Sequence, residues 1–227
     1  MRRGGLTAGL AVLSLTLGSC VFSGGVVRQY SWFEAPGAQD PWRQPIHDWQ
    51  LRARAESPPP PSPEASTLND QPELAGAYAA FRLELRRTQA EGVSDWIQGQ
   101  ARLHFVPDPG IDIWPTATEV LEAGGDDCDG LAFLAHELLL ELGFAPEELY
   151  LAIVRRRSDA LHHMVGLWFG DGADPWIIDP TGAMTAEMVR MSTLEGWDPL
   201  AIFSETEHFQ ALPHVAAERT LRGTARN

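Results

Sequence analysis

The sequence reads as one mixed helix-and-strand domain of α+β class, and three observations lead there. Leu131, Leu134, Leu138 and Leu142 recur at the spacing of a single apolar helical stripe. Strand-like runs follow at 149–155, 161–169 and 175–179. Gly170-Asp171-Gly172-Ala173, between the last two runs, is rich in turn formers, so these two predict an antiparallel hairpin. The chain has 227 residues, and the roughly 160 left after an amino-terminal leader and linker suit one core.

The chain opens with positive charge at Arg2 and Arg3, and residues 4–16 are then uncharged. That stretch is shorter than the ~20 residues needed to span a bilayer, so 1–20 reads as an export signal. It ends in Leu17-Gly18-Ser19-Cys20, which resembles the lipobox of bacterial lipoproteins and makes Cys20 the expected lipidation site. Val21 in place of Asp leaves the outer membrane as the default address. The expected location is the periplasm or cell surface, anchored to a membrane through lipid. Residues 21–67 include Ser57-Pro58-Pro59-Pro60-Pro61-Ser62-Pro63 and predict a Pro-rich flexible tether, with the folded domain at 68–227.

Within that domain, Asn69 or Asp70 is a candidate cap for a helix with Pro72 in its first turn and Leu74, Tyr78, Phe81 and Leu85 at helical spacing. It should end in the late eighties. A short helix near Val93–Gln98 and a strand over Ala101–Val106 are expected next. Thr116 and Glu119 have capping-box spacing for a helix that Gly124-Gly125 stops. The next helix should run from about Asp127 to Leu142, with Gly143 as its stop. After Thr181, the residues Met188, Met191, Leu194, Trp197 and Leu200 predict helix and loop packed on the sheet.

The formal net charge is -14, and the cations are all Arg because the chain has no Lys. Nucleic acid is therefore a poor partner, and Schiff-base chemistry through Lys is excluded. The two cysteines are Cys20 and Cys128, so a lipidated Cys20 leaves Cys128 without a partner in an oxidising compartment. Cys128 falls at a helix start, where unpaired N–H groups favour a thiolate. Asp127 and Asp129 oppose that, so an imidazolium is needed nearby.

Strand alternation puts His163 on the more apolar face with Val165 and Leu167, and His162 with Met164 and Gly166. A hairpin centred near residue 171 sets His163 opposite Asp179, close enough for the carboxylate to orient the ring. The candidate catalytic set is Cys128, His163 and Asp179. His47, His104, His136, His162, His208 and His214 are read as ordinary core or surface residues. One thiol and scattered His match no zinc pattern.

Taken together, Trp114-Pro115, Gly125-Asp126-Asp127-Cys128-Asp129-Gly130, His163-Met164-Val165 and Ile178-Asp179 resemble the bacterial transglutaminase-like cysteine proteinases, within the transglutaminase and papain-like superfamily. The resemblance implies a Cys-bearing helix packed on an antiparallel sheet, with Cys128 as nucleophile, His163 as base and acid, and Asp179 as orienter. It implies a cell-envelope protein or peptide as substrate. It also implies calcium, with Asp127 and Asp129 as candidate ligands. The third acidic position of the family pattern is Gly130 here, which weakens the expected site. No other cofactor is called for.

The expected chemistry is amide hydrolysis through a thioester. Transamidation, amidase work on cell-wall peptides, and a non-catalytic binding or assembly role on the same fold are the rivals. Candidate oxyanion donors are the Cys128 backbone N–H with the indole of Trp114 or Trp96.

Overall fold

The structure, a computed structural model, describes residues 30–56, 72–108, 110 and 113–213. The expected leader, the lipidation site Cys20, His214 and residues 21–29 and 57–67 of the expected tether lie outside that range.

Four helices and six strands build it: β1 Tyr30–Glu34, α1 Arg43–Glu56, α2 Pro72–His104, α3 Ala117–Ala123, α4 Cys128–Glu141, β2 Leu149–Arg156, β3 His162–Trp168, β4 Trp176–Ile178, β5 Trp197–Phe203 and β6 His208–Pro213. All ladders are antiparallel, and the strands lie in the order β1-β6-β5-β2-β3-β4. The α+β class is as the sequence predicts. Among the described residues, no helix is long and apolar enough to cross a membrane.

Because side chains alternate along a strand, the sheet has two buried faces with different cover. Leu149, Leu151 and Ile153 of β2, Met164 and Trp168 of β3 and Ile178 of β4 pack under the helices, against Leu131, Ala132, Phe133, Ala135 and Leu139 of α4. Tyr150, Ala152, Val154, Val165, Leu167 and Ile177 point the other way, onto Trp32, Met191 and Trp197.

Four expectations are corrected. The tether predicted over 21–67 contains β1 and α1, and Ile46, Trp49 and Ala53 of α1 enter the core beside Phe133 and Phe203. Trp49 stacks on Phe133 with ring centroids 4.8 Å apart. A single helix, α2, replaces the two short helices and the strand expected over 70–106. Its core stripe is Ala90, Val93, Ile97 and Ala101, whereas Leu74, Tyr78, Phe81 and Leu85 are exposed. Beyond Thr181, a 3₁₀ turn at Met191–Thr193 and the strands β5 and β6 stand where helix and loop were expected. Finally, the hairpin pairs Gly166 with Ile178, Leu167 with Ile177 and Trp168 with Trp176, so it is centred on residue 172.

Candidate active site

Local sequence fixes the head of α4. In the preceding helix α3, the Glu119 N–H donates to Thr116 Oγ1 at 3.2 Å, and the Thr116 N–H donates to Glu119 Oε2 at 2.7 Å. This is the capping box that the sequence predicts. Gly124 takes the C-cap, and a one-bridge contact between Phe105 and Asp126 carries the chain to Asp127. The Asp127 side chain caps α4 by accepting from the Asp129 N–H at 3.2 Å. Cys128 is the first residue of α4, half-buried, and packs against the cluster that holds Trp114, Phe133 and Met164. The unsatisfied N–H groups at that end favour the thiolate over the thiol.

The imidazole and carboxylate expected to act together do meet. His163 Nε2 lies 2.8 Å from Asp179 Oδ1, with His163 5% and Asp179 0% exposed. A carboxylate only accepts, so Nε2 carries the proton of this bond and Nδ1 is the ring's other functional atom. Asp179 is held in turn by the chain that follows it. Its Oδ1 accepts from the Thr181 and Gly182 N–H groups at 3.1 Å each, and its Oδ2 accepts from Met184 at 2.6 Å and Thr185 at 3.0 Å. Gly182 allows this wrap, because its φ of +77° is a backbone conformation that side chains disfavour. Burial by itself would raise the Asp179 pKa, but the bond and charge of His163 and the Thr185 and Met184 N–H groups outweigh it, and the net shift is downward.

The expected contact arises by a different route from the one the sequence suggested. With the hairpin centred on 172 rather than near 171, Asp179 lies diagonal to His163, not opposite it. The shift moves each partner by two residues, so both side chains stay on one face and the diagonal remains within reach. Gln98 of α2 had no sequence signal, yet it clamps the same turn, donating from Nε2 to Asp179 O at 3.1 Å and Thr185 O at 3.2 Å.

The thiol packs into the helix-covered cluster. Cys128 belongs with Met164 on the helix-covered face, while His163 belongs with Val165 on the opposite one, where its ring lies 5.9 Å from that of Trp197. The β3–β4 ladder ends at Gly166, which leaves the start of β3 beyond the reach of β4. His162, read from sequence as an ordinary histidine, is on the face of Cys128. It makes an edge contact at 5.1 Å with Trp42, which packs against the same cluster as Cys128. Of the two indoles considered as oxyanion donors, Trp114 shares that cluster, whereas Trp96 lines a cavity that Cys128 does not border.

Asp126, Asp127 and Asp129 bring one carboxylate oxygen each within 4.8 Å of one another. Asp126 Oδ2 is buried and has no hydrogen-bond partner. Burial and then the charge of Asp127 raise the Asp126 pKa above 3.8. A Cβ at residue 130 would lie 2.0 Å from Asp126 Oδ2, so the glycine that seemed to remove a carboxylate makes room for one from another position. Three hard oxygen donors, one of them buried and unpaired, fit a cation such as calcium.

No protein-family model matches the chain, and no curated protein matches it. Among solved structures it is similar to Legionella pneumophila LapG in a calcium-bound form, at 16% identity over 73% of this chain and 87% of that one, with a TM-score of 0.49. An EGTA-treated form of LapG gives the same identity and TM-score and is covered over 84% of its length.

Proposed function

We propose that the domain is a cell-envelope cysteine peptidase or amide hydrolase with Cys128 as nucleophile. The observation that carries this reading is the His163–Asp179 pair, a buried imidazole with a fixed tautomer, in a domain whose described cysteine is the first residue of a helix. The Cys128 sulfur adds to the carbonyl carbon of a peptide or side-chain amide, and the tetrahedral oxyanion collapses as the C–N bond breaks. An imidazolium gives its proton to the departing amine. The thioester then yields to water, returning the acid and the free thiol. The Cys128 N–H and the Trp114 indole are the proposed oxyanion donors. With an amine in place of water the same steps give transamidation, and mass analysis of products formed with and without a primary amine separates the two outcomes.

His163 is the proposed base, with Asp179 orienting it. The alternation of β3 supports a second assignment, His162, because that ring is on the face of Cys128. A peptide thioester trapped on the protein by acid quench and located by mass spectrometry tests the reaction itself. Loss of the trapped species in Cys128→Ala is expected, and the imidazole whose removal slows its formation about 10²-fold or more is the base. If wild-type protein forms no adduct with any envelope peptide pool, the non-catalytic binding role on this fold takes its place.

Calcium is proposed as a structural ion at Asp126, Asp127 and Asp129, where it would neutralise the acidic approach to the thiol. Lipidation at Cys20, attachment to the outer membrane and an envelope protein as substrate belong to the same proposal and rest on the sequence.

A further inference from the structure

A cavity of about 650 Å³ opens on the side of α4 away from the thiol, a size usual for small-molecule sites. Cys128, His163 and Asp179 do not line it. His136 does line it, about 12 Å along the helix from Cys128 at the usual rise per residue. His136 is only 5% exposed, and its side chain makes no hydrogen bond, ion pair or ring contact with the described residues. Burial pushes its pKa down to about 4, so at neutral pH the ring is uncharged and offers one donor and one acceptor nitrogen. An unpaired buried imidazole beside an open cavity is a polar group in want of a partner.

The rest of the lining says what that partner is. Trp49 and Phe133, stacked on each other at 4.8 Å and at most 3% exposed, close the floor of the cavity, and Trp96 and Leu121 border its mouth at 41% and 67% exposure. The charged residues of the lining, Glu137 and Glu141, are both carboxylates. Carboxylates at the rim of an apolar cavity favour a cation over a neutral or anionic head group.

We propose that this cavity is a second site, which binds a small molecule with a flat apolar body and an ammonium head. The body lies between Trp96 and Leu121. The ammonium N–H donates to the acceptor nitrogen of His136, under the field of Glu137 and Glu141.

Calorimetric titration of the whole protein with 1-naphthylmethylammonium tests this, with 1-naphthalenemethanol and 1-naphthaleneacetate as the neutral and anionic counterparts. The expected result is saturable one-to-one binding of the cation, at least about tenfold tighter than either counterpart, with alkylation of Cys128 unaffected. His136→Leu and Leu121→Trp should each weaken it about tenfold or more while circular dichroism is unchanged. If His136→Leu fails to fold, Leu121→Trp decides, because that side chain is largely in solvent. The proposal is overturned if none of the three probes saturates, if the anion binds as well as the cation, if the probe protects Cys128, or if Leu121→Trp binds like wild type.

Discussion

At residue 130 the identity of the side chain is settled by a neighbour rather than by its own backbone. Asp126 fills the space where a Cβ would stand, with Oδ2 at 2.0 Å, so Gly130→Ala forces the carboxylate out. A loss of about 1–3 kcal/mol is expected from overpacking, measured by chemical denaturation. Asp126→Asn should act in the opposite direction without metal. Its raised pKa means that the folded state holds the proton more tightly than the unfolded one, so stability falls as pH rises from 3.8 through the folded value. At pH 7 the full penalty is present, and the amide removes it. Asp126→Asn is therefore expected to raise Tm in EGTA and to abolish any rise that calcium gives to wild type. A calcium-induced gain that survives in Asp126→Asn would exclude this carboxylate as a ligand. The sequence offered Asp127 and Asp129 but not Asp126, since an acidic pattern shows which residues are charged and not which backbone neighbour leaves them room. His163 and Asp179 were legible because strand parity survives a two-residue error in register.

Among the elements, α3, α4 and the central hairpin were legible because their signals are local: a capping box, a leucine stripe stopped by Gly143, and a Gly-rich turn. The strand β5 was not, and Pro199 is the reason. Proline cannot donate to a ladder, so it argues against a strand, yet β5 accommodates it at an irregularity where Val154 pairs with Pro199 and Ile153 with Ala201. The segment 101–106 alternates like a strand, but the period of Ala90, Val93, Ile97 and Ala101 keeps its first four residues helical. On α4, the buried His136 makes the fold more sensitive to acid. Its folded pKa of about 4 is below the ordinary 6.5, so the unfolded chain takes up the proton first as pH falls. Stability should drop between about pH 6.5 and 4, by roughly 3 kcal/mol from this group. Denaturation of His136→Leu across that range should show a total loss of stability smaller by this amount, and an unchanged loss would mean that the burial is relieved in solution.

For the molecule as a whole, the largest difference between sequence and structure is where the domain begins. Proline density and the lack of a sustained period made residues 21–67 read as a tether, although Trp32, Ile46 and Trp49 are at most 5% exposed. Such a strand and helix have weak periodicity of their own, and tertiary contacts decide them: β1 covers the edge of β6, and α1 closes the aromatic cluster of Trp114, Phe133 and Phe203. A chain beginning at residue 68 should therefore aggregate or lose cooperative unfolding, while one spanning 30–213 should unfold in a single transition. Replacing Trp49 by Ala in the longer chain should cost about 3–5 kcal/mol, the range for a large aromatic removed from a core.

The proposed reaction requires the thiol at the head of α4 to be activated by an imidazole from the start of β3. The rate of iodoacetamide addition at Cys128, followed by peptide mapping from pH 4 to 10, tests it most directly. Wild type should titrate well below the ~8.5 of a free thiol, and removing the acting imidazole, His163 or His162, should return the profile toward that value. If wild type and the urea-unfolded chain share one profile near 8.5, and neither histidine variant alters it, the thiol is not activated and the peptidase assignment is wrong.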